Sequence, residues 1–332
     1  MQKLNSIQYL LILLILFSTG CLDQGKMDIH TDQNFDFDWY FYHGEIDSFD
    51  FSVVKHQDWR KLDLPHDWSI EGEYGLNHGA DWQTGFLPTG VGWYYKEFDW
   101  KKEWKGKKVS IYFEGIYLNS DVWINGHHLG SRPNGYLSFE YDLTPHLNRN
   151  SNVIAVRVDH SNPLTGRWYT GSGIYRHVWI KTDNLVHIPV WGVHFTTPRV
   201  SKERADYKVG VEVRNTTAKP EILQLRSVLN FNGELIDEIS REIEMPSDTT
   251  ININLDSEIL NPALWSPDKP ELYDLNVFLM KGPNILDRQE LSAGFRWLEY
   301  SPDYGCKLNG ENILFRGVCD HHTAGSVGAA VP

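Results

Sequence analysis

An all-β chain built from successive sandwiches is what this sequence predicts, and three observations predict it. Short runs rich in β-branched and aromatic residues recur between clusters of turn residues. Asn-Gly steps at Asn125-Gly126, Asn232-Gly233 and Asn309-Gly310 separate pairs of such runs, as two-residue hairpin turns require. No apolar stripe with helical i, i+3, i+4, i+7 spacing extends over a useful length.

At 332 residues the chain is long for one domain, and 41% hydrophobic content with 13% aromatics is enough for separate cores. A formal net charge of −13 argues against nucleic acid as a partner, because phosphate binding needs a basic footprint. Thirteen Trp and sixteen Tyr suit both sandwich cores and surfaces that stack on sugar rings.

Residues 1–21 stand apart. Lys3 precedes an apolar run from Tyr9 to Phe17, too short to span a bilayer and suited to a secretory signal. Ser18-Thr19-Gly20 before Cys21 resembles a bacterial lipoprotein signal, in which the mature chain starts at a lipidated Cys21. The alternative is a plain cleaved signal with Cys21 incidental. The first reading places the protein outside the cytoplasm, in the cell envelope, touching membrane only through a lipid anchor. Residues 22–34 are polar and acidic without periodicity and read as a tether.

Residues 35–184 carry the first set of strands: Phe51–Val54, Gly92–Phe98, Val109–Phe113, Ser120–Ile124, Ser138–Tyr141 and Val153–Val158. Residues 185–296 repeat the pattern with cleaner alternation, as in Tyr207–Val213, Thr250–Leu255 and Tyr273–Leu279, and read as an immunoglobulin-like sandwich. From residue 297 the character changes to a hairpin around Asn309-Gly310, followed by Arg316-Gly-Val-Cys-Asp-His-His322. Cys306 and Cys319 flank that hairpin; pairing and buried unpaired thiols are both open readings.

The densest stretch is Asn162 to Ile180, where a Pro/Gly loop carries Arg167, Trp168 and Tyr169 before a strand predicted over Ile174–Ile180. Two readings stand. Gly171 and Gly173 make a rigid corner sealed by aromatics, or the loop serves a binding pocket.

Arg167-Trp-Tyr-Thr-Gly-Ser-Gly-Ile-Tyr-Arg176 resembles the signature loop of glycoside hydrolase family 2, which includes β-galactosidases, β-glucuronidases and β-mannosidases. Leu64-Pro-His-Asp-Trp68, Pro88-Thr-Gly-Val-Gly-Trp-Tyr94, Phe113-Glu-Gly through Trp123-Ile-Asn-Gly126, and Arg316 to His322 agree in the family's order. The match runs from about Phe37 to the last residue and looks most like the β-galactosidase type. It implies that the first sandwich is a jelly-roll, galactose-binding-like domain, and that residues 297–332 are the truncated beginning of a (β/α)8 barrel, which needs about 250 residues.

The resemblance implies a retaining hydrolase acting on terminal β-galactosides, with a β-linked oligosaccharide or glycoconjugate as partner. Such enzymes use an acid/base and a nucleophile Glu about 5–5.5 Å apart. The family's acid/base lies in an Asn-Glu step on a later barrel strand; no Asn-Glu dipeptide occurs here, so no catalytic residue is named and this chain alone is expected to be inactive. No cofactor is implied within these residues, and a divalent or monovalent metal ion belongs to the complete enzyme. The substrate-binding candidates are His321, at the end of the first barrel strand, with Arg167, Trp168 and Tyr169. For His321 the alternative is a strand cap. Asp67 is expected to hydrogen-bond backbone or His66, Glu114 and Asp121 to be packing-edge or ion-pair groups, and Arg176 to form a buried or interface ion pair. The rival function is a non-catalytic carbohydrate-binding surface lipoprotein. Oligomeric state is not legible.

Overall fold

The computed structural model describes residues 29–46, 59–76, 78, 81–162, 168–319, 321 and 323–332. The predicted strand Phe51–Val54 lies outside these residues, as do the signal region with Cys21, and Arg167 in the signature loop. The first sandwich contains β1 (Thr31–Asn34), β2 (Trp39–His43), β3 (Arg60–Leu62), β4 (Gly90–Asp99), β5 (Lys108–Phe113), β6 (Ser120–Ile124), β7 (His127–Arg132), β8 (Phe139–Asp142), β9 (Ser151–His160) and β10 (Val178–Asp183). Two antiparallel sheets result, one ordered β3-β2-β4-β9-β6-β7 and the other β1-β10-β5-β8. Strand side chains alternate between faces, so every second residue enters the core. Trp39, Tyr94 and Ile154 from the larger sheet meet Ile111, Phe113 and Ile180 from the smaller.

Two details depart from the sequence reading. Thr31–Asn34, predicted within the tether, is an edge strand registered from Thr31 opposite Thr182 to Asn34 opposite Trp179. Its side chains are mostly exposed, so it carries no apolar pattern; the backbone ladder alone commits it. The strand predicted from Ile174 begins instead at Val178. Residues 172–174 are taken by other backbone: His66 N–H donates to Ile174 O (2.8 Å), Trp68 N–H to Ser172 O (3.1 Å), and Tyr117 and Gly173 exchange a pair of bonds at 2.9 Å.

The second sandwich holds β11 (Val186–His187), β12 (Val193–Val200), β13 (Arg204–Asn215), β14 (Glu221–Phe231), β15 (Glu234–Met245), β16 (Thr249–Leu260), β17 (Tyr273–Lys281) and β18 (Asn284–Ala293). β13 lies between β16 on one side and β11 with β12 on the other, facing a sheet ordered β15-β14-β17-β18. Val209, Val211 and Val213 oppose Leu225, Leu275 and Val277 across the core.

A three-stranded sheet of β19 (Leu298–Ser301), β20 (Gly305–Leu308) and β21 (Glu311–Asn312) follows. Asn309 ties it to the second sandwich, with Nδ2 donating to Trp265 O (3.0 Å) and Oδ1 accepting from Trp297 N–H (3.2 Å). Among the described residues no strand forms over Arg316 to His321, where the first barrel strand was expected. Cys306 is half-buried on β20, and Cys319 is exposed and outside any strand. Both are free thiols, which corrects the readings of a disulfide and of two buried cysteines.

Candidate functional site

The site grows from Asp67. The Leu64-to-Trp68 segment leaves β3 and lies against Ser172–Ile174, which brings a carboxylate only 2% exposed beneath the signature loop. Its Oδ1 accepts the N–H groups of Ser69 (3.0 Å) and Ser172 (2.9 Å). Its Oδ2 accepts the Tyr169 hydroxyl (2.5 Å) and the Ala329 N–H (2.9 Å). Of the two expected partners, backbone or His66, the structure gives backbone; His66 Nδ1 meets the Tyr94 hydroxyl at 2.7 Å and its Nε2 lies 3.3 Å from Glu71. Burial opposes ionisation of Glu71, but hydrogen bonds from His66 and Arg60 outweigh it and bring that carboxyl down to about 2.

A second polar thread runs under the same loop. Ser69 Oγ donates to Pro88 O (2.7 Å) and lies 2.6 Å from Ser172 Oγ, which in turn lies 2.6 Å from His160 Nδ1. Burial lowers His160 to about 4, so its ring is neutral at neutral pH. Burial and the adjacent Asp67 raise the Tyr169 phenol well above its ordinary value, so it serves as a hydrogen-bond donor and not as a base.

Above this support Trp168 is 38% exposed, and its ring centroid lies 5.0 Å from that of the exposed His321. Residues 153 positions apart thus form one wall, with exposed Tyr136 beside Trp168. The structure brings together three of the sequence candidates: Trp168 and His321 at the surface, Tyr169 beneath them. Arg167 lies outside the described residues, and Arg176 corrects its expectation. It is exposed, with its guanidinium 5.6 Å from the Tyr175 ring centroid, and no ion pair to it forms among the described residues. Glu114 accepts from the Trp179 indole (2.8 Å), and Asp121 pairs with His128 (2.9 Å).

Chemically, this wall offers a ring face that can pack against apolar groups and an imidazole that can hydrogen-bond. It does not pair a raised carboxylic acid with an ionised one. Asp183, pushed up by burial to about 6, belongs to the junction between the sandwiches, facing Lys108, Asp287 and Glu140. Sequence reasoning missed the tie from Asp67 to Ala329 and the place of Tyr136. The available signal was an acidic residue inside an otherwise apolar buried segment.

Residues 86–184 match the family description "Glycosyl hydrolases family 2, sugar binding domain", and residues 186–296 match "Glycosyl hydrolases family 2". The chain belongs to glycosyl hydrolase family 2. Within that family it is 38% identical over 314 residues to the beta-galactosidase BoGH2A of Bacteroides ovatus, covering 94% of this chain and 37% of that protein. The beta-galactosidase of Thermoanaerobacter pseudethanolicus is 32% identical, with 90% of this chain and 40% of that protein covered. Among solved structures, a beta-glycosidase from Bacteroides vulgatus superposes with a TM-score of 0.81 at 47% identity, over 91% of this chain and 38% of that one. A Bacteroides uniformis beta-glucuronidase gives 0.83 at 26% identity, over 91% and 37%. The chain therefore spans well under half the length of these family 2 relatives. The all-β reading with two leading sandwiches holds in the structure.

Proposed function

We propose that this chain supplies the sugar-facing wall of a family 2 glycosidase that removes terminal β-galactosides with retention of configuration. The observation that carries the reading is the contact of Trp168 with His321 at 5.0 Å. An indole face packs against sugar C–H groups, while imidazole ring nitrogens hydrogen-bond hydroxyls. The acid/base and nucleophile glutamates of the retaining mechanism belong, on this reading, to barrel strands outside these residues. The relatives include beta-galactosidases, BoGH2A among them, and beta-glucuronidases; the galactoside reading follows BoGH2A and is set against the glucuronide in the test below.

The test is titration of methyl β-galactoside and methyl β-glucuronide into the 332-residue chain, followed by NMR. The galactoside is expected to bind, and Trp168→Ala or His321→Ala to weaken it by about tenfold, the scale of one hydrogen bond or ring contact. Equal affinity in both variants, or preference for the glucuronide, overturns the reading. No release of nitrophenol from nitrophenyl β-galactoside is expected; turnover would place a catalytic pair within this chain.

We also propose that the protein is exported and lipid-anchored through Cys21. The supporting features are Lys3, the apolar run Tyr9 to Phe17, and the small residues at 18–20.

A further inference from the structure

We infer that Asp67 is the positioning residue that fixes Trp168 against His321, by holding the signature loop and the C-terminal segment on one buried carboxylate. The inference rests on the proposed sugar wall only for its functional consequence; the positioning itself stands on the geometry.

A buried carboxylate without a cation is costly unless several donors satisfy it. Among the described residues Asp67 has no Lys, Arg or His in ion-pair contact, and four donors converge on it instead. The Oδ1 half is local in character, since it accepts from Ser69 two residues along the chain. The Oδ2 half is not: it joins Tyr169, 102 positions away, to Ala329, 262 positions away. Those two partners flank the wall, because Tyr169 adjoins Trp168 and Ala329 closes the segment that begins at His321.

Backbone bonds fold the described part of the segment between them onto itself. Ala324 N–H donates to Gly328 O (2.8 Å), Ala330 N–H donates to Val327 O (3.0 Å), and Ala329 and Ala330 are buried. Both backbones reach the carboxylate only because glycines line it. A Cβ on Gly171 (φ +72°) would lie 2.5 Å from Asp67 Oδ2 and 2.7 Å from Ala329 Cβ; one on Gly328 (φ +59°) would lie 2.3 Å from the same oxygen. A ring is thereby closed, with Asp67 at one side and the Trp168–His321 contact at the other.

The test uses the 332-residue chain and Asp67→Asn. The asparagine carbonyl can keep the Ser69 and Ser172 N–H groups, but its NH2 then faces the Ala329 N–H, donor against donor. Hydrogen exchange of the Ala329 amide is expected to accelerate about ten- to a hundred-fold, the loss of a bond to a charged acceptor, while exchange in β4 and β9 stays unchanged. With 5-fluorotryptophan, His321→Ala is expected to shift the Trp168 resonance in the native chain and to leave it nearly still in the Asp67→Asn chain. A role confined to stability would change the melting temperature without removing that coupling.

Tyr169→Phe removes one hydroxyl and keeps the ring, so it folds even if Asp67→Asn does not. It is expected to weaken the Trp168 response while Ala329 stays protected. An Ala329 amide that exchanges freely in the native chain overturns the inference, as does full Trp168–His321 coupling in both variants. If coupling behaves as expected but no galactoside binds the native chain, the sugar reading fails and the positioning role stands.

Discussion

His160 and His187 show what burial does to a titratable side chain when it outweighs the pull of the acids nearby. Burial lowers both rings to about 4, and among the described residues His187 has no hydrogen-bond partner on either nitrogen. A folded value below the unfolded one means stability is fully present above about 6.5 and is lost as pH falls toward 4. Each ring contributes on the order of 3 kcal/mol across that window, at about 1.4 kcal/mol per pH unit. Asp183 and His30 run the other way. Burial raises Asp183 to about 6, and the hydrogen bond to Asp287 raises His30, so both favour the folded chain at lower pH. Melting temperatures from pH 7.5 to 4.5 are therefore expected to fall in the native chain. In the His160→Gln, His187→Gln double variant the slope should flatten or reverse; an unchanged slope would show that neither ring is buried neutral. None of this was legible beforehand, since a His in sequence carries no mark of the partners that burial will deny it. Asp67 was half legible: its backbone bonds were expected, but nothing near it in sequence pointed to Tyr169 or Ala329.

The hairpins were the most legible elements. Asn125 and Gly126 adopt φ of 49° and 85°, Asn232 and Gly233 51° and 82°, Asn309 and Gly310 53° and 84°, the double positive φ that the Asn-Gly steps predicted. Equal turns are not equally anchored. Asn125 Nδ2 donates to His146 O (2.8 Å) and Asn152 Oδ1 (2.9 Å), and its Oδ1 accepts from Val153 N–H (2.9 Å). The Asn232 side chain makes no hydrogen bond among the described residues. Both alanine variants suffer the positive-φ penalty of about 1 kcal/mol, but Asn125→Ala also removes three bonds worth about 1 kcal/mol each. Denaturant unfolding should place Asn125→Ala at least about 2 kcal/mol below Asn232→Ala; equal losses would show that the side-chain bonds contribute nothing. The elements misread in sequence were those without a pattern of their own. β1 is polar because only its backbone is used, and Ile174, which looks like the start of a strand, has its carbonyl taken by His66 N–H instead of a ladder partner.

The two sandwiches meet through polar contacts rather than a shared apolar core. Asn184, at the end of the first sandwich and held by Lys107 Nζ (2.9 Å), donates from Nδ2 to Leu286 O (2.5 Å), and Asp183, 3.8 Å from Lys108, faces Asp287. Asp287, 1% exposed, accepts from Ile188 N–H (2.7 Å) and lies 3.4 Å from His30. The segment just before β1 thus braces the junction, although it reads as tether. At this scale the proposed anchor has a direct test. Cells expressing the chain with labelled palmitate should yield a labelled, membrane-associated protein, and Cys21→Ser should abolish both label and association; label retained in that variant would sink the reading.

By itself the sequence determined the strand periodicity, the hairpin turns, the two sandwiches and the family. These rest on alternation and on φ preferences that a few adjacent residues encode, or on motifs whose residues stand side by side. Only the tertiary structure decided that Trp168 meets His321 and that Asp67 holds the segments behind them, across separations of 102 and 262 positions. A buried carboxylate takes whatever donors the packed sheets deliver to it, and which backbones arrive is settled by how the sandwich closes, not by the residues next to it in the chain.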